Sequence, residues 1–248
     1  MPRAKASRGR KRKKRGRGRS RKRRRLATRN RRVGGFYGFE RKYLDDTIVN
    51  YAIQEKMTGG GVGIVQSMNT PMQGSGSSNR DGRAANMLSV HIQGVIDWRA
   101  DTDAADIPCP VRIFLLLDTQ NNLAATSAHD LNQVFELPSD PAVPDAMAFR
   151  NLEYTQRFKI IADKTYYPPS LALYKTTATE QHLALTRAFE IHKPLGFVTH
   201  YAANTGATTD INDNALFLCA VQVRADSSVT TSTRTVNLNC LTRLRFSG

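Results

Sequence analysis

Cysteine is scarce in this sequence. Only Cys109, Cys219 and Cys240 occur among 248 residues. They are too few for a disulfide framework, and their spacing matches no zinc-binding motif. We therefore expect buried, reduced thiols, as in proteins that mature inside a cell.

Long apolar runs are also absent from the chain. No stretch approaches the roughly 18–20 consecutive apolar residues that cross a bilayer as a helix. The first thirty residues are charged but lack the apolar stretch of a secretion signal. The sequence therefore predicts no membrane partner.

Residues able to carry catalysis do not occur in catalytic patterns. The glycine-rich stretches 59–63 and 74–78 lack the Lys-Ser/Thr of a phosphate loop and the spacing of a nucleophile elbow. A cupin-type metal enzyme would need His and Glu ligands clustered on facing strands. The histidines show no pair at helical ligand spacing, and they stand at positions 91, 129, 182, 192 and 200. We therefore predict no enzymatic activity and no cofactor.

Two groups of acidic residues are compatible with a structural metal site. Asp101, Asp103 and Asp106 stand close together, and so do Asp210 and Asp213. Carboxylate oxygens suit a hard cation such as calcium. The spacing is not that of an EF-hand, and an exposed acidic turn has the same composition, so both interpretations stay open.

Acidic residues are missing from the N-terminal segment. The chain has 37 Lys and Arg against 21 Asp and Glu, a net charge of +16 and a pI near 10.2. Residues 1–32 hold 19 of those basic residues and no carboxylate, the first being Glu40. The rest of the chain keeps 18 basic and 21 acidic residues, a net charge of −3. This distribution predicts a polycationic arm over 1–35, ending in a glycine hinge, and a nearly neutral domain over 36–248.

The arm is a candidate nucleic-acid-binding segment. Within 8–25, 14 of the 18 residues are Lys or Arg, and no apolar face exists at any period. We therefore expect disorder in isolation. Such a segment binds nucleic acid through phosphate neutralisation and counterion release rather than by base reading. The candidate binding residues are Arg8, Arg10, Lys11, Arg12, Lys13, Lys14, Arg15, Arg17, Arg19, Arg21, Lys22, Arg23, Arg24, Arg25, Arg29, Arg31 and Arg32.

The sequence of the arm also bears on three other roles. The clusters at 11–14 and 22–25 are typical of nuclear-import signals, which are compatible with nucleic-acid binding. A purely solubilising tail is disfavoured because cationic tails bind nucleic acid readily. A membrane-surface segment is disfavoured because no lipidation motif or amphipathic helix accompanies it.

Period-two patterns predict that the remaining domain is built of strands. Apolar and polar residues alternate over 87–98 and 235–246, as in strands with one buried face. The runs at 111–117 and 215–223 are apolar on both faces, as in central strands. Four further strands bring the predicted number to eight, and they are expected at 40–53, 154–163, 186–193 and 196–202.

These strands predict the fold class. Only 128–137 hints at a helix, so α/β architectures are disfavoured. The connections at 59–83, 100–110 and 138–148 are long and rich in turn-forming or acidic residues. Eight strands with long loops predict an all-β protein, a single eight-stranded antiparallel jelly roll made of two sheets.

Several stretches, taken in chain order, resemble a known family. The basic arm comes first, and Asn79-Arg80-Asp81-Gly82-Arg83 precedes a predicted strand in the manner of an Arg-x-Gly-Arg turn. Together they span nearly the whole chain and resemble the single jelly-roll capsid proteins of small circular single-stranded DNA viruses, the circovirus-like group. The other matching stretches are Phe39–Asp45, Val111–Gln120, Asn151–Tyr154 and Arg157–Lys164.

The resemblance implies a small T=1 icosahedral shell of sixty identical subunits around a circular single-stranded DNA genome. Sixty arms would place on the order of 1,100 positive charges inside, the scale of a small genome at one charge per phosphate. It also implies a virion protein that passes through the host nucleus during assembly. Its partners would be copies of itself, viral single-stranded DNA, host nuclear import receptors and an unidentified host-cell attachment factor.

Four arginines outside the arm extend the candidate binding surface. Arg243 and Arg245 share one polar face of the last predicted strand, and Arg80 and Arg83 lie in the matched turn. Each is predicted to contact nucleic acid or to brace an interface between subunits. A solvated or salt-bridged arginine is the common alternative.

A function of a different class also fits these features. The chain could be a non-capsid nucleic-acid-binding module or chaperone with a jelly-roll body. A closed shell needs large lateral contacts, and the long loops at 59–83 and 138–148 offer surface for them. Loop length therefore favours the capsid.

Overall fold

The computed structural model describes residues 40–54, 57, 63–98, 109–120, 131–137, 145–168, 185–223 and 236–248. They belong to one compact unit, Glu40–Gly248. The predicted arm, residues 1–35, lies outside the described residues, and so do Asp101, Asp103 and Asp106. What the sequence predicts for those residues stays a prediction.

Strands dominate the described residues. Eleven occur there, of which β5, β6 and β9 have only two or three residues each. The strands are β1 (Arg41–Ala52), β2 (Ile64–Ser67), β3 (Ala84–Trp98), β4 (Val111–Asp118), β5 (Phe135–Glu136), β6 (Phe149–Arg150), β7 (Phe158–Tyr166), β8 (Leu185–Tyr201), β9 (Ile211–Asp213), β10 (Ala215–Gln222) and β11 (Val236–Ser247).

Antiparallel pairing arranges these strands in two main sheets. The first has the order β1-β11-β3-β8-β9, the second has the order β2-β10-β4-β7, and β5 pairs with β6 alone. Counted along the chain without the three shortest strands, the orders become 1-8-3-6 and 2-7-4-5. Each sheet thus combines strands from both halves of the chain, as Greek-key connections require. The predicted antiparallel two-sheet jelly roll is confirmed.

The hydrophobic core lies between the two sheets. Ile92 and Leu244 of the first sheet belong to the same cluster of buried side chains as Ile113 and Leu218 of the second. Alternate residues of β3 and β11 are exposed or half-buried, because the far side of the first sheet faces solvent. The first sheet therefore presents an open outer face.

The central strands of the second sheet, β4 and β10, are covered on both faces. Phe135 of β5 packs edge-on against Phe114 of β4, with 5.3 Å between the ring centroids. Every residue of β10 is buried, and so is all of β4 except the half-buried Arg112. Such coverage explains why these strands are apolar at successive positions. The prediction of two central strands is confirmed.

One predicted pair of strands is a single strand in the structure. The strands expected at 186–193 and 196–202 form the continuous β8. Pro194 lacks an N–H donor and Gly196 has a φ of +81°, so in sequence the two resemble a turn. Pro194 stays paired with Ser89 of β3, and a β-bulge that contains Gly196 follows it, so the strand continues through both residues.

Two other elements differ from expectation. The strand β2 falls inside the predicted loop 59–83, because its four residues are too few to show a periodic pattern. The predicted helix at 128–137 is wrong for its described part, where Leu131–Gln133 make one 3-10 turn before β5. Among the described residues, no helix has the length and apolar content needed to span a bilayer.

Candidate nucleic-acid-binding and assembly surfaces

Arg80 is a structural residue of the turn that precedes β3. Its side chain is fully buried, and its Nε donates a hydrogen bond to the Pro71 carbonyl at 3.2 Å. Its terminal nitrogens donate to the carbonyls of Gly82 and Ala203. Burial lowers the pKa of Arg80, which the nearby Tyr201 partly counteracts. Because all three nitrogens bond within the subunit, the prediction of a nucleic-acid or subunit contact is corrected for Arg80.

The charged residues around this turn differ in exposure. Lys42 of β1 is buried and places its Nζ 2.5 Å from the Asp81 Oδ1, which ties the turn to the first sheet. Arg83 is exposed, and its carbonyl accepts a hydrogen bond from the Tyr201 N–H at 2.8 Å. Within the described residues its side chain has no hydrogen bond or ion pair. Its predicted role stays a prediction.

Arg243 is held by a carboxylate on the neighbouring strand. It lies directly opposite Asp45, where β11 pairs with β1. Its Nε and Nη2 donate to the two carboxylate oxygens at 2.7 and 2.6 Å. The hydrogen bond from Arg243 lowers the pKa of Asp45. This arginine is accessible, but its charge is locally neutralised.

Arg245 lies on the same outward face but keeps its charge free. It is exposed and stands opposite Tyr43, with the exposed Arg41 two residues away on β1. Among the described residues, neither Arg41 nor Arg245 makes a side-chain hydrogen bond or ion pair. The Arg243 guanidinium carbon lies 5.4 Å from the centroid of the Tyr43 ring. We call this surface, made of Arg41, Tyr43, Arg243 and Arg245, the basic corner.

Histidines on the outer face of the first sheet make contacts with one another or with carboxylates. The rings of His91 and His192 meet edge-on with 5.5 Å between centroids, and the His91 Nε2 lies 2.9 Å from the Glu190 Oε1. His200 lies 2.8 Å from Asp213. Within the part of the chain that the structure describes, no three His, Cys, Asp or Glu residues group to hold a metal ion.

Asp210 and Asp213, which the sequence grouped, do not form a common site. The buried Asp210 accepts hydrogen bonds from the Thr205 hydroxyl at 2.8 Å and the Gly206 N–H at 2.9 Å. Burial raises the pKa of Asp210, but these hydrogen bonds outweigh burial and lower it. Asp213 instead pairs with His200. The first carboxylate therefore closes a loop, and the second belongs to a surface pair.

The cysteines divide into two environments. Cys219 and Cys240 are buried, as expected, and burial raises the pKa of both thiols, that of Cys240 to about 12. Cys109 is only half-buried, which corrects the expectation that all three are buried. It lies two residues before β4 in the sequence.

An exposed apolar surface lies in the segment between β5 and β7. Phe149 is 82% exposed, Leu152 is 75% exposed and Met147 is 64% exposed. We call these three residues the apolar loop surface. Sequence reasoning missed it, because the residues lack the period of a strand or helix, although large apolar side chains beside a proline-rich loop were a visible signal. Exposed apolar clusters often mark protein contacts.

No protein-family model and no curated protein matches the chain.

Proposed function

We propose that this chain is a viral capsid protein that self-assembles into a small icosahedral T=1 shell of about sixty copies. Its polybasic N-terminal arm would package circular single-stranded DNA. The observation that carries this proposal is the union of a jelly-roll domain with a preceding segment of 19 Lys and Arg and no acid. The resemblance to circovirus-like capsid proteins supports the DNA genome and the shell size.

The distribution of charge supports packaging. The arm carries +19 over residues 1–32, whereas residues 33–248 carry −3. A nearly neutral domain does not repel its copies strongly, while the arm attracts phosphates and releases their counterions. Association of domains and capture of nucleic acid are therefore assigned to different parts of one chain.

The apolar loop surface supports self-association. Phe149 and Leu152 together expose more apolar area than a lone surface residue would, and neither contributes to the core. Burial of such side chains stabilises a contact by about 25 cal/mol per Å2 of apolar area. A shell brings identical copies together at high local concentration, so a weak contact of this kind is repeated many times.

The proposed life cycle assigns further partners to the arm and the shell. Its basic clusters at 11–14 and 22–25 would bind host nuclear import receptors before assembly in the nucleus. The assembled shell would bind a host-cell attachment factor through its outer loops. The protein would thus occur in the virion and, during assembly, in the host nucleus.

Electron microscopy of the purified full-length chain tests the proposal. It is compared with a chain that lacks residues 1–32, and the ratio of absorbance at 260 and 280 nm reports nucleic acid. We expect uniform closed particles with nucleic acid from the full-length chain. The truncated chain should form particles without nucleic acid or fail to assemble, because 19 of the 37 basic residues are removed.

Failure to form particles over a range of salt and calcium concentrations would contradict the capsid proposal. If the full-length chain still bound nucleic acid as a monomer or small oligomer, a nucleic-acid-binding module or chaperone would replace it. Equal nucleic-acid content in both chains would contradict the role of the arm alone.

A further inference from the structure

We propose that the basic corner binds single-stranded nucleic acid directly, with a base stacked on Tyr43 and flanking phosphates held by Arg41 and Arg245. The inference rests on the proposed function for the identity of the ligand, the packaged strand. It adds a second contact site, on the folded domain, to the one expected in the arm.

Register places the three side chains on one face. Tyr43 is directly opposite Arg245, and Arg41 is opposite Ser247 in the same antiparallel ladder. Residues two apart in a strand point to the same side, so Arg41, Tyr43 and Arg245 project together. Diagonal neighbours in such a ladder are about 7–8 Å apart, within reach of long side chains. One nucleotide can therefore contact all three.

The arginines of the basic corner differ in whether a carboxylate pairs with them. Arg243 forms an ion pair with Asp45, whereas Arg41 and Arg245 make no ion pair in the described part of the chain. Farther along the same face, Glu190 is engaged by His91. Two cations are thus left to attract phosphate beside the tyrosine, and none of the paired carboxylates opposes them directly.

Tyr43 is suited to hold a base. It is 47% exposed, although β1 pairs with β11 on one side and the Tyr43 N–H donates a hydrogen bond to the Ser77 carbonyl at 3.2 Å on the other. The Arg243 guanidinium, 5.4 Å from the ring centroid, limits the ring's freedom through a cation–π contact. Aromatic rings flanked by cations are the usual platforms for unpaired bases, whereas bases in a duplex are already stacked on each other. The corner therefore selects single strands.

Chain connectivity favours this location. In the sequence, Arg41 follows the end of the basic arm, residues 1–35, by only six positions. A strand captured by the arm is then present at high effective concentration near the corner. The arm has no aromatic residue before Phe36, so the corner supplies stacking that residues 1–35 do not contain.

Photocrosslinking of the full-length protein tests this site, whether or not shells form. A single-stranded oligonucleotide with 5-iododeoxyuridine is irradiated with the protein, and adducts are mapped by mass spectrometry. We expect an adduct on Tyr43, and at least about fivefold less with the same sequence as a duplex. Tyr167, which is 61% exposed, is the matched tyrosine elsewhere in the domain and should react at least about fivefold less.

Charge variants distinguish binding at the basic corner from non-specific electrostatic attraction of nucleic acid to the protein. The double variant Arg41→Gln/Arg245→Gln should lower the Tyr43 adduct about fivefold or more and reduce the slope of log affinity against log salt by about 1.4. Lys159→Gln/Lys164→Gln, which removes two charges from β7, should leave the adduct unchanged within about twofold. Unfolding midpoints of all variants confirm that the fold is retained.

The outcomes are separable from those of the capsid proposal. Adducts confined to residues 1–39, or equal yields at Tyr43 and Tyr167, would overturn the site. An unchanged yield of the Tyr43 adduct in the Arg41→Gln/Arg245→Gln variant would overturn the roles of Arg41 and Arg245. A Tyr43 adduct with no particles by microscopy would support the site while contradicting the shell.

Discussion

The guanidinium carbon of Arg80 lies 4.1 Å from the centroid of the Tyr201 ring. The Tyr201 hydroxyl donates a hydrogen bond to the Asn69 carbonyl at 3.0 Å, and burial raises the pKa of that hydroxyl. Through this stack, Arg80 connects the turn before β3 to the end of β8. The arginine that the sequence associated with nucleic acid thus fixes the loops at one end of the sandwich.

Replacement of Arg80 by lysine should therefore destabilise the domain. Lysine keeps the charge but cannot donate to the carbonyls of Pro71, Gly82 and Ala203 in one planar arrangement. Hydrogen bonds from a charged donor contribute about 1.5–3 kcal/mol each, so we expect a loss of about 2–4 kcal/mol. Urea unfolding, followed by the fluorescence of the single and buried Trp98, measures it.

The exposed Arg83 provides the matched control. Arg83→Lys should change the free energy of unfolding by less than about 0.5 kcal/mol, because the side chain has no partner in the described residues. Equal effects of the two substitutions would show that Arg80 does not brace the loops.

Gly94 should not tolerate a side chain. A Cβ built there would lie 2.2 Å from the Asn239 carbonyl oxygen and 2.7 Å from the Cys240 Cα, both of which are backbone atoms of β11. Backbone cannot move aside without breaking the β3–β11 ladder, so Gly94→Ala should cost more than about 3 kcal/mol or prevent folding.

Gly82→Ala is the control for that substitution. A Cβ at Gly82 meets nothing within 4 Å. We expect soluble protein with a midpoint of urea unfolding close to that of the unaltered chain. A stable, soluble Gly94→Ala variant with the same midpoint would contradict the close approach of the two strands.

Periodicity was sufficient to predict the fold class but not all of its elements. In β3 and β11, apolar and polar residues alternate because one face of the first sheet is exposed to solvent. In β4 and β10, successive residues are apolar because both faces of these strands are covered. Pro194 and Gly196 led to the prediction of two strands where the structure has one. Only the register with β3 shows that the strand continues through a bulge at this point.

The candidate site was predictable only in part. Arg243 and Arg245 were correctly placed on one polar face, since that follows from period two. Whether each arginine is paired with a carboxylate depends on β1, because Asp45 neutralises Arg243 while Tyr43 stands opposite Arg245. Such cross-strand pairs join residues about 200 positions apart and leave no local pattern. Arg80 was misassigned because its carbonyl acceptors lie in two loops, the β2–β3 loop and the loop after β8, and no local sequence pattern shows that these loops meet.

Stability should fall in acid because of Asp210. Its hydrogen bonds lower its pKa below the ordinary value of 3.8, so the folded state favours the carboxylate. That contribution is fully present above the ordinary pKa and is lost as the pH falls through the lowered one. At pH 7, Asp210→Asn should be less stable by about 1–2 kcal/mol, and the difference should shrink below pH 4. Urea midpoints from pH 7 to pH 3 measure it.

Asp45→Asn is the comparison for this experiment. The Asp45 carboxylate also has a lowered pKa, but its pair with Arg243 lies on an exposed face, where salt screens it. We expect a smaller difference at pH 7 that disappears in high salt. A pH-independent difference for Asp210→Asn would contradict the assigned role of its charge.

Removal of the apolar loop surface should weaken assembly without unfolding the subunit. Phe149 and Leu152 are 82% and 75% exposed, so Phe149→Ser/Leu152→Ser removes little from the core. Each side chain is worth about 1.5–3 kcal/mol when buried at a contact, so the protein concentration needed for particles should rise at least about tenfold. Light scattering against concentration, with electron microscopy of the products, measures that threshold.

The conservative variant Phe149→Tyr/Leu152→Met keeps most of the apolar area and should assemble near the original threshold. Both variants should unfold in urea at the same midpoint as the unaltered chain. Because the serine variant keeps all 37 basic residues, it should still bind nucleic acid. Particles formed by the serine variant at an unchanged threshold would show that these side chains lie outside the contacts between subunits, even if the shell itself is confirmed.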